Sequence, residues 1–304
     1  MHINYKGDNN TVMNESQIQL IVKISETGSF TKAGEELHMT QPAVSRAVAA
    51  IESELGTKLI KRNRKNGLVF TDVGERILII FRNVLSELQK VDELIAAEQG
   101  LEIGKVHIGA YPTACTRLIP KIIRTMEEKH PGLEVKLWEG SVDQVKEWLR
   151  SKSIDVGIII PPDKDFDIVP LMKDQLIIVM HSNHPLYQKE TIGIPDLQGE
   201  DILLGRGGYE IQIHALFKDF KLKPQVRFVV DHIDTALSMV QEGLGITITT
   251  KKNILSLPEQ VVFRELKPNT FREIGIAVPD MKDISKATDV FIQTARTLFT
   301  NEGA

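Results

Sequence analysis

The chain is poor in cysteine, in long apolar runs, in net charge of either sign and in the compact motifs of common catalytic centres. Cys115 is the single cysteine in 304 residues, which excludes an internal disulfide and a cysteine-rich metal site. The eight histidines form no H-E-x-x-H pattern and no close pair with cysteine, so no metal and no cofactor is expected. G-x-S-x-G, Walker-type loops and clustered internal repeats are missing as well. Apolar runs such as 77–81 and 176–180 stop at five residues, against the roughly 20 that a membrane helix needs. The N-terminal MHINYKGDNN has no apolar stretch of the secretory kind, so a cytoplasmic protein is expected. Lys plus Arg number 37 against 41 Asp plus Glu, a net charge of −4. As an average, that argues against a globally basic nucleic-acid binder. The rest is ordinary: 42% hydrophobic residues over a length that suggests two or three domains.

Three textures follow one another. Residues 1–13 are polar and aperiodic and read as a flexible extension, with Met13 a possible second start. Residues 16–98 read as helix with one interruption. Ile18, Ile21, Val22 and Ser25 share a helix face that ends at Gly28. Ser29 can cap a second, short helix over 31–37. After the His38-Met39-Thr40 turn, Gln41-Pro42 opens a third helix that runs to about Leu55. Two short helices behind a supporting one make a helix-turn-helix, with Ala33, Leu37, Val44, Val48 and Ile51 as its core. Residues 59–71 alternate loosely around Asn66-Gly67, a hairpin that would form a wing. Ile77, Phe81, Val84, Leu88, Val91 and Ile95 are then spaced by 4, 3, 4, 3 and 4. This is the seam of a long helix that pairs with its twin, unless the helix is simply buried. Asp72 stands where a cap would.

From Gly104 onward β-like runs alternate with helical windows. Strands are expected at 106–110, 134–138, 155–160, 175–180, 201–205, 227–231, 245–249, 261–266 and 273–278. Helices are expected at 117–129, 142–151, 212–220 and 233–242. Such alternation implies largely parallel sheets, in two lobes of residues 100–162 with 268–304 and residues 163–267.

The strongest functional signal is local charge. Five of the eight residues from Lys58 to Lys65 are basic, all on the expected wing, although residues 1–100 hold 12 basic and 13 acidic side chains. A basic run is usually only a solvated face. Beside a helix-turn-helix, Lys61, Arg62, Arg64 and Lys65 instead point to phosphate neutralisation. Base edges would be read from the first turns of the third helix. There Gln41 suits adenine, Arg46 suits guanine or phosphate, Pro42 or Ala43 can touch a thymine methyl, and Ser45 lies alongside. Ser29 and Thr31 are phosphate anchors.

The stretch SFTKAGEELHMTQPAVSRAVAAIESELGTKLIKR, with Gly67-Leu68-Val69-Phe70-Thr71-Asp72-Val73-Gly74, resembles the N-terminal domain of LysR-type transcriptional regulators. The resemblance continues through the long helix and the Gly104-Lys105-Val106-His107-Ile108-Gly109 opening of the last region. It implies an α/β protein with a winged helix-turn-helix at 14–71, a dimerising linker helix at 72–99 and a two-lobed effector domain at 100–304 similar to periplasmic binding proteins. It further implies homodimers or homotetramers on interrupted palindromes of double-stranded DNA, with RNA polymerase as a further candidate partner and no membrane. Gly34, Ile60 and Val73 depart from the residues usual in the family. Gly34 should weaken the second helix by up to ~1 kcal/mol.

By the same resemblance a small, anionic inducer lies between the lobes. Thr113, Ala114 and Cys115 open a helix after the first strand, and Arg206, Gly207 and Gly208 do so in the second lobe. Ser141, His232 and Thr247 lie near other strand ends. The alternatives are that the glycines only turn the chain and the hydroxyls only cap. Cys115 as a redox sensor is a further alternative to a plain thiol. No paired acid and base stands out, so no enzymatic activity is expected. A cytoplasmic ligand-binding protein or an enzyme built on the lobes remains the alternative reading.

Overall fold

A computed structural model describes residues 13–63, 67–206, 209–254 and 256–299. The chain divides into two compact units, Met1–Gly100 and Leu101–Ala304. Nearly all of the expected N-terminal extension lies outside the described residues, as does Asn66 of the expected hairpin turn.

In the first unit α1 (Glu15–Thr27) starts at a capping box of Asn14 with Gln17 and ends at Gly28, whose φ of 62° suits glycine. Ser29 caps α2 (Phe30–Glu36) by accepting from the Lys32 amide. The turn closes with the Met39 amide donating to the Gly34 carbonyl at 2.7 Å. A Cβ on residue 34 would meet the Met39 carbonyl oxygen at 2.6 Å. Gly34 therefore permits the close turn, which the propensity cost alone does not reveal. α3 (Gln41–Glu54) buries Val44, Val48 and Ile51 against Ile21, Ile24 and Ala33. β1 (Ile60–Asn63) and β2 (Gly67–Phe70) pair antiparallel as the wing. Ser25, expected on the apolar face of α1, instead donates to the Val22 carbonyl and accepts from Arg82.

α4 (Asp72–Glu98) is capped by Thr71, which accepts from the Gly74 amide, so Asp72 is its first residue rather than its cap. The expected seam needs a second correction. Phe81 is 7% exposed within the core of the first unit, and Ile77 packs against that core. The first turns of α4 close the helix-turn-helix, which uses up those apolar groups. The exposed stripe runs instead through Ile80, Val84, Leu88, Val91 and Ile95, with Leu94 beside it.

The second unit is built on one path of strands, β4-β3-β5-β12-β6-β10-β8-β9, with β11 and β7 attached at β6. In its first lobe β3 (Gly104–Ala110) pairs parallel with β4 (Leu133–Glu139) and β5 (Val156–Ile159). α5 (Pro112–Arg117), α6 (Ile119–Lys129) and α10 (Lys286–Phe299) cover one face and α7 (Val142–Arg150) the other. The second lobe holds β7 (Thr191–Gly193), β8 (Asp201–Gly205), β9 (Gln225–Val230), β10 (Ile246–Thr250) and β11 (Val261–Lys267). It is flanked by α8 (Tyr209–Asp219) and α9 (Ile233–Gln241). The strands β8, β9 and β10 run parallel.

One strand serves both lobes. β6 (Asp167–His181) pairs antiparallel with β12 (Phe271–Val278) from Asp167 to Gln175, then with β10 and β11 from Leu176 to His181. The strand expected at 175–180 is only its second half. Residues 167–173 belong to the first lobe's sheet, so the lobe boundary drawn at residue 163 moves to the neighbourhood of Asp174. Pro170 and the charged Lys173-Asp174 pair hide the first half of β6 from a pattern search. The helix expected at 117–129 is α6, and the short α5 precedes it, the two meeting at Leu118.

Candidate functional site

In the first unit the candidate residues gather on α3 and the wing. Gln41 is half-buried at the start of α3, Pro42 and Arg46 are exposed, and Ala43 and Ser45 are half-buried. Thr40 caps α3 without a side-chain bond. Thr31 is exposed on α2, whereas the Ser29 hydroxyl already serves as a helix cap. Lys61 is exposed on β1. Arg62 is described in its backbone only, and Arg64 and Lys65 lie outside the described residues.

The residue that fixes the wing is one that pattern reading passes over. Glu52, 6% exposed on α3, accepts from the Leu59 amide at 2.9 Å, the Ile60 amide at 3.1 Å and Lys58 Nζ at 2.6 Å. Burial opposes its ionisation, but the bonds from Lys58 and the two amides prevail and hold the carboxyl below its usual range. Thr71 closes the far side by donating to the Lys58 carbonyl at 2.8 Å. Lys58, though exposed, is thus tied to the anchor, whereas Lys61 on β1 is exposed as well. An acidic residue buried on a core face is the only trace of this anchor in the sequence.

In the second unit a cleft of about 1450 Å³ lies between the lobes, lined by the chain after β3, the start of α7, the chain after β8 and the start of α9. Thr113, Ser141, Arg206 and His232 all line it. Ser141 Oγ accepts from the Gln144 amide, so its hydroxyl is engaged as a cap. Arg206 pairs with Asp231 at 3.4 Å on the exposed rim. His232 begins α9 without a side-chain cap bond. Gly207 and Gly208 lie outside the described residues.

Two expected site residues line neither this cleft nor the smaller cavity beside it. Thr247 is 1% exposed inside β10, and its hydroxyl donates to the Leu203 carbonyl across the strand pair at 2.8 Å. Cys115 donates to the Ala110 carbonyl through Sγ at 3.4 Å and is absent from the described cavity walls. Burial, with the nearby Glu139 carboxylate, pushes its thiol up to about 12, so at neutral pH it carries no thiolate for redox chemistry. In both cases the strand or helix turns the side chain inward, which proximity along the sequence does not reveal.

A smaller cavity of about 280 Å³ opens from the same walls and shares Tyr111, Thr113, Arg117, Asn253 and Arg272 with the cleft. Ala114 lines this inner cavity rather than the outer cleft. Neither Arg117 nor Arg272 has a motif that marks it in advance. Among the described residues, no group of three or more His, Cys, Asp or Glu is arranged to hold a metal ion, and no helix is long and apolar enough to cross a membrane.

Known proteins agree with this architecture. The pattern for a bacterial regulatory helix-turn-helix protein of the lysR family matches residues 16–75, and that for a LysR substrate binding domain matches residues 99–300. The HTH-type transcriptional regulator YvbU of Bacillus subtilis (strain 168) is 44% identical over 95% of this chain and 100% of its own length. A full-length OxyR variant from Pseudomonas aeruginosa superimposes with a TM-score of 0.76 at 24% identity, covering 94% of this chain and 96% of that one. CbnR, solved in complex with its target DNA, gives a TM-score of 0.64 at 22% identity, over 94% of this chain and 99% of that one. The chain belongs to the LysR family of transcriptional regulators.

Proposed function

We propose that this regulator reads double-stranded DNA through α3 and the wing and answers to a small anionic molecule held between the lobes of its second unit. The observation that carries the reading is α3 with Pro42 and Arg46 exposed on its first two turns, together with a wing that Glu52 holds in place. In this reading residues 14–71 are the DNA-binding domain, 72–99 the dimerising helix and 100–304 the effector domain. Gln41, Pro42, Ala43, Ser45 and Arg46 face base edges, while Ser29, Thr31, Lys61, Arg62, Arg64 and Lys65 meet phosphates. The exposed stripe of α4 joins two heads, so that two recognition helices address an interrupted palindrome. CbnR bound to its target DNA shows that this fold can dock on a duplex.

The cleft supplies the sensing half. Thr113, Ser141, Arg206 and His232 come from both lobes. A ligand that prefers one lobe arrangement biases the assembly by its differential affinity for the two states. The protein works in the cytoplasm and catalyses no reaction. A gel-shift titration of the full chain against the DNA upstream of its own coding region tests the reading. Specific binding that weakens steeply with salt is expected; binding that is absent, or indifferent to sequence, overturns it.

A further inference from the structure

The two cavities of the second unit differ in charge. Among the described residues that line the outer cleft, four Lys and Arg stand against six Asp and Glu. Two of those cations are already matched: Lys146 pairs with Asp163 at 2.9 Å and Arg206 with Asp231. An anion in the outer cleft would thus meet a wall that is acidic on balance. The inner cavity is the reverse, with Arg117, Lys252 and Arg272 against the single carboxylate of Asp174. That carboxylate is itself satisfied locally, since Asp174 accepts from the Lys252 amide at 3.0 Å.

Asp174 and Asp234 act on Arg117 electrostatically, but one of its donors lacks a hydrogen-bond match. Its Nη2 is buried and has no hydrogen-bond partner among the described residues. A buried donor without an acceptor costs about 1–3 kcal/mol, and more for a charged group. Arg117 lines both cavities. Beyond it the wall turns apolar, with Leu118, Met172, Ile254, Ile274 and Phe299. At about 280 Å³ the space is near twice the ~150 Å³ that admits a benzene ring.

We propose that the inducer is a monocarboxylate with a compact apolar body, its carboxylate bound by Arg117 and its body in the inner cavity. This rests on the reading that the second unit takes a small-molecule inducer, and it moves the anion's place from the outer helix ends to the wall behind Thr113. Size and polarity then set the selection. A ring or branched chain of about the volume of a substituted benzene fits the apolar end, where a second charge placed among Leu118, Ile254 and Phe299 would find no partner. Arg272, only 3% exposed and with its guanidinium 6.0 Å from the Tyr111 ring, adds positive potential to the same pocket.

The test is calorimetric titration of the full chain with phenylacetate, isovalerate and cyclohexanecarboxylate, beside phenylacetamide and citrate. At least one of the three monocarboxylates is expected to bind, and phenylacetamide and citrate are not. Arg117→Met should weaken that binding roughly 10–100-fold, as loss of a hydrogen bond to a charged group implies, and Arg117→Lys should restore part of it. Arg206→Met should have the smaller effect. If affinity falls with Arg206→Met but not with Arg117→Met, or if the amide binds as well as the acid, the proposal is overturned. It is also overturned if none of the three acids binds. A metabolite of another class that raises the melting temperature would then show that the inducer reading stands without it. Should Arg117→Met fail to fold, a crystal of the unaltered protein soaked in 4-bromophenylacetate decides the matter: bromine in the inner cavity supports the proposal, and bromine in the outer cleft overturns it.

Discussion

The wing of the first unit is held by a carboxylate at most eight residues away from the groups it binds. The inner cavity of the second draws on segments scattered from Tyr111 to Phe299. The difference is mechanical. A local anchor keeps its geometry whatever distant parts of the chain do. A cavity that takes Arg117 and Phe299 from the first lobe and Thr250 from the second changes shape whenever the lobes shift. The first arrangement suits a reading head that must stay the same, and the second suits a sensor that must differ between states.

The contrast can be broken most directly at α4, where one helix serves two purposes. Phe81→Ala should lower the stability of the first unit by about 3–5 kcal/mol, the usual cost of emptying a buried aromatic site, measured by chemical denaturation. Leu88→Glu, on the exposed stripe, should leave that stability nearly unchanged and shift the mass seen by light scattering toward the monomer. An unchanged mass would detach the stripe from self-association.

The anchor comes next. Glu52→Ala strands the buried Leu59 amide and should cost about 2–3 kcal/mol. Because the folded carboxyl is held below its usual range, its contribution is present at neutral pH and disappears as pH falls through that lowered value. Melting temperatures of wild type and Glu52→Gln should therefore differ at neutral pH and converge in acid. A gap that persists in acid would mean the side chain acts through packing alone.

Smaller effects separate base reading from phosphate contact. Arg46→Ala should remove about 1–3 kcal/mol of sequence discrimination, while Lys61→Ala should weaken binding to every duplex and reduce the salt slope by about one. Equal losses on all DNA for both variants would erase that division. Least of all, Thr247→Val should cost about 1 kcal/mol of stability and leave ligand affinity untouched, as its hydroxyl serves Leu203. A change in affinity would put Thr247 back into the cleft.

The same contrast governs what can be read from residue order. Helix caps, the turn before Gln41, the wing strands and most strand cores follow from neighbours a few positions apart, so the head and the two-lobed plan were legible. Asp201–Gly205 appears as a strand at the expected bounds. What escaped depends on distant partners. Glu52 looks like one more charged helix residue until β1 is placed beside it. The first half of β6 gains its strand character from β12, about a hundred residues later. Arg117 and Arg272 become a pair of cavity walls only once the fold has brought β12 to the cavity that α5 lines. Thr247 and Cys115 fail as site residues for a related reason: their backbone positions are near the cleft, and only the pleat or helix phase decides which way they point.

β6 also limits how this protein can vary. Its side chains alternate, with Leu176, Ile178 and Met180 entering one core of the second lobe and Ile177 and Val179 the other. An extra residue at Asp174 would exchange the two sets, turning every later side chain of the strand into the wrong core. Insertions of one residue at the junction are therefore barred, while the surface loops of either lobe remain free to lengthen. The strand thus fixes a parity that ties the lobes to one relative phase, and evolution of new ligand preferences has to proceed through the walls of the cavities rather than through the axle between them.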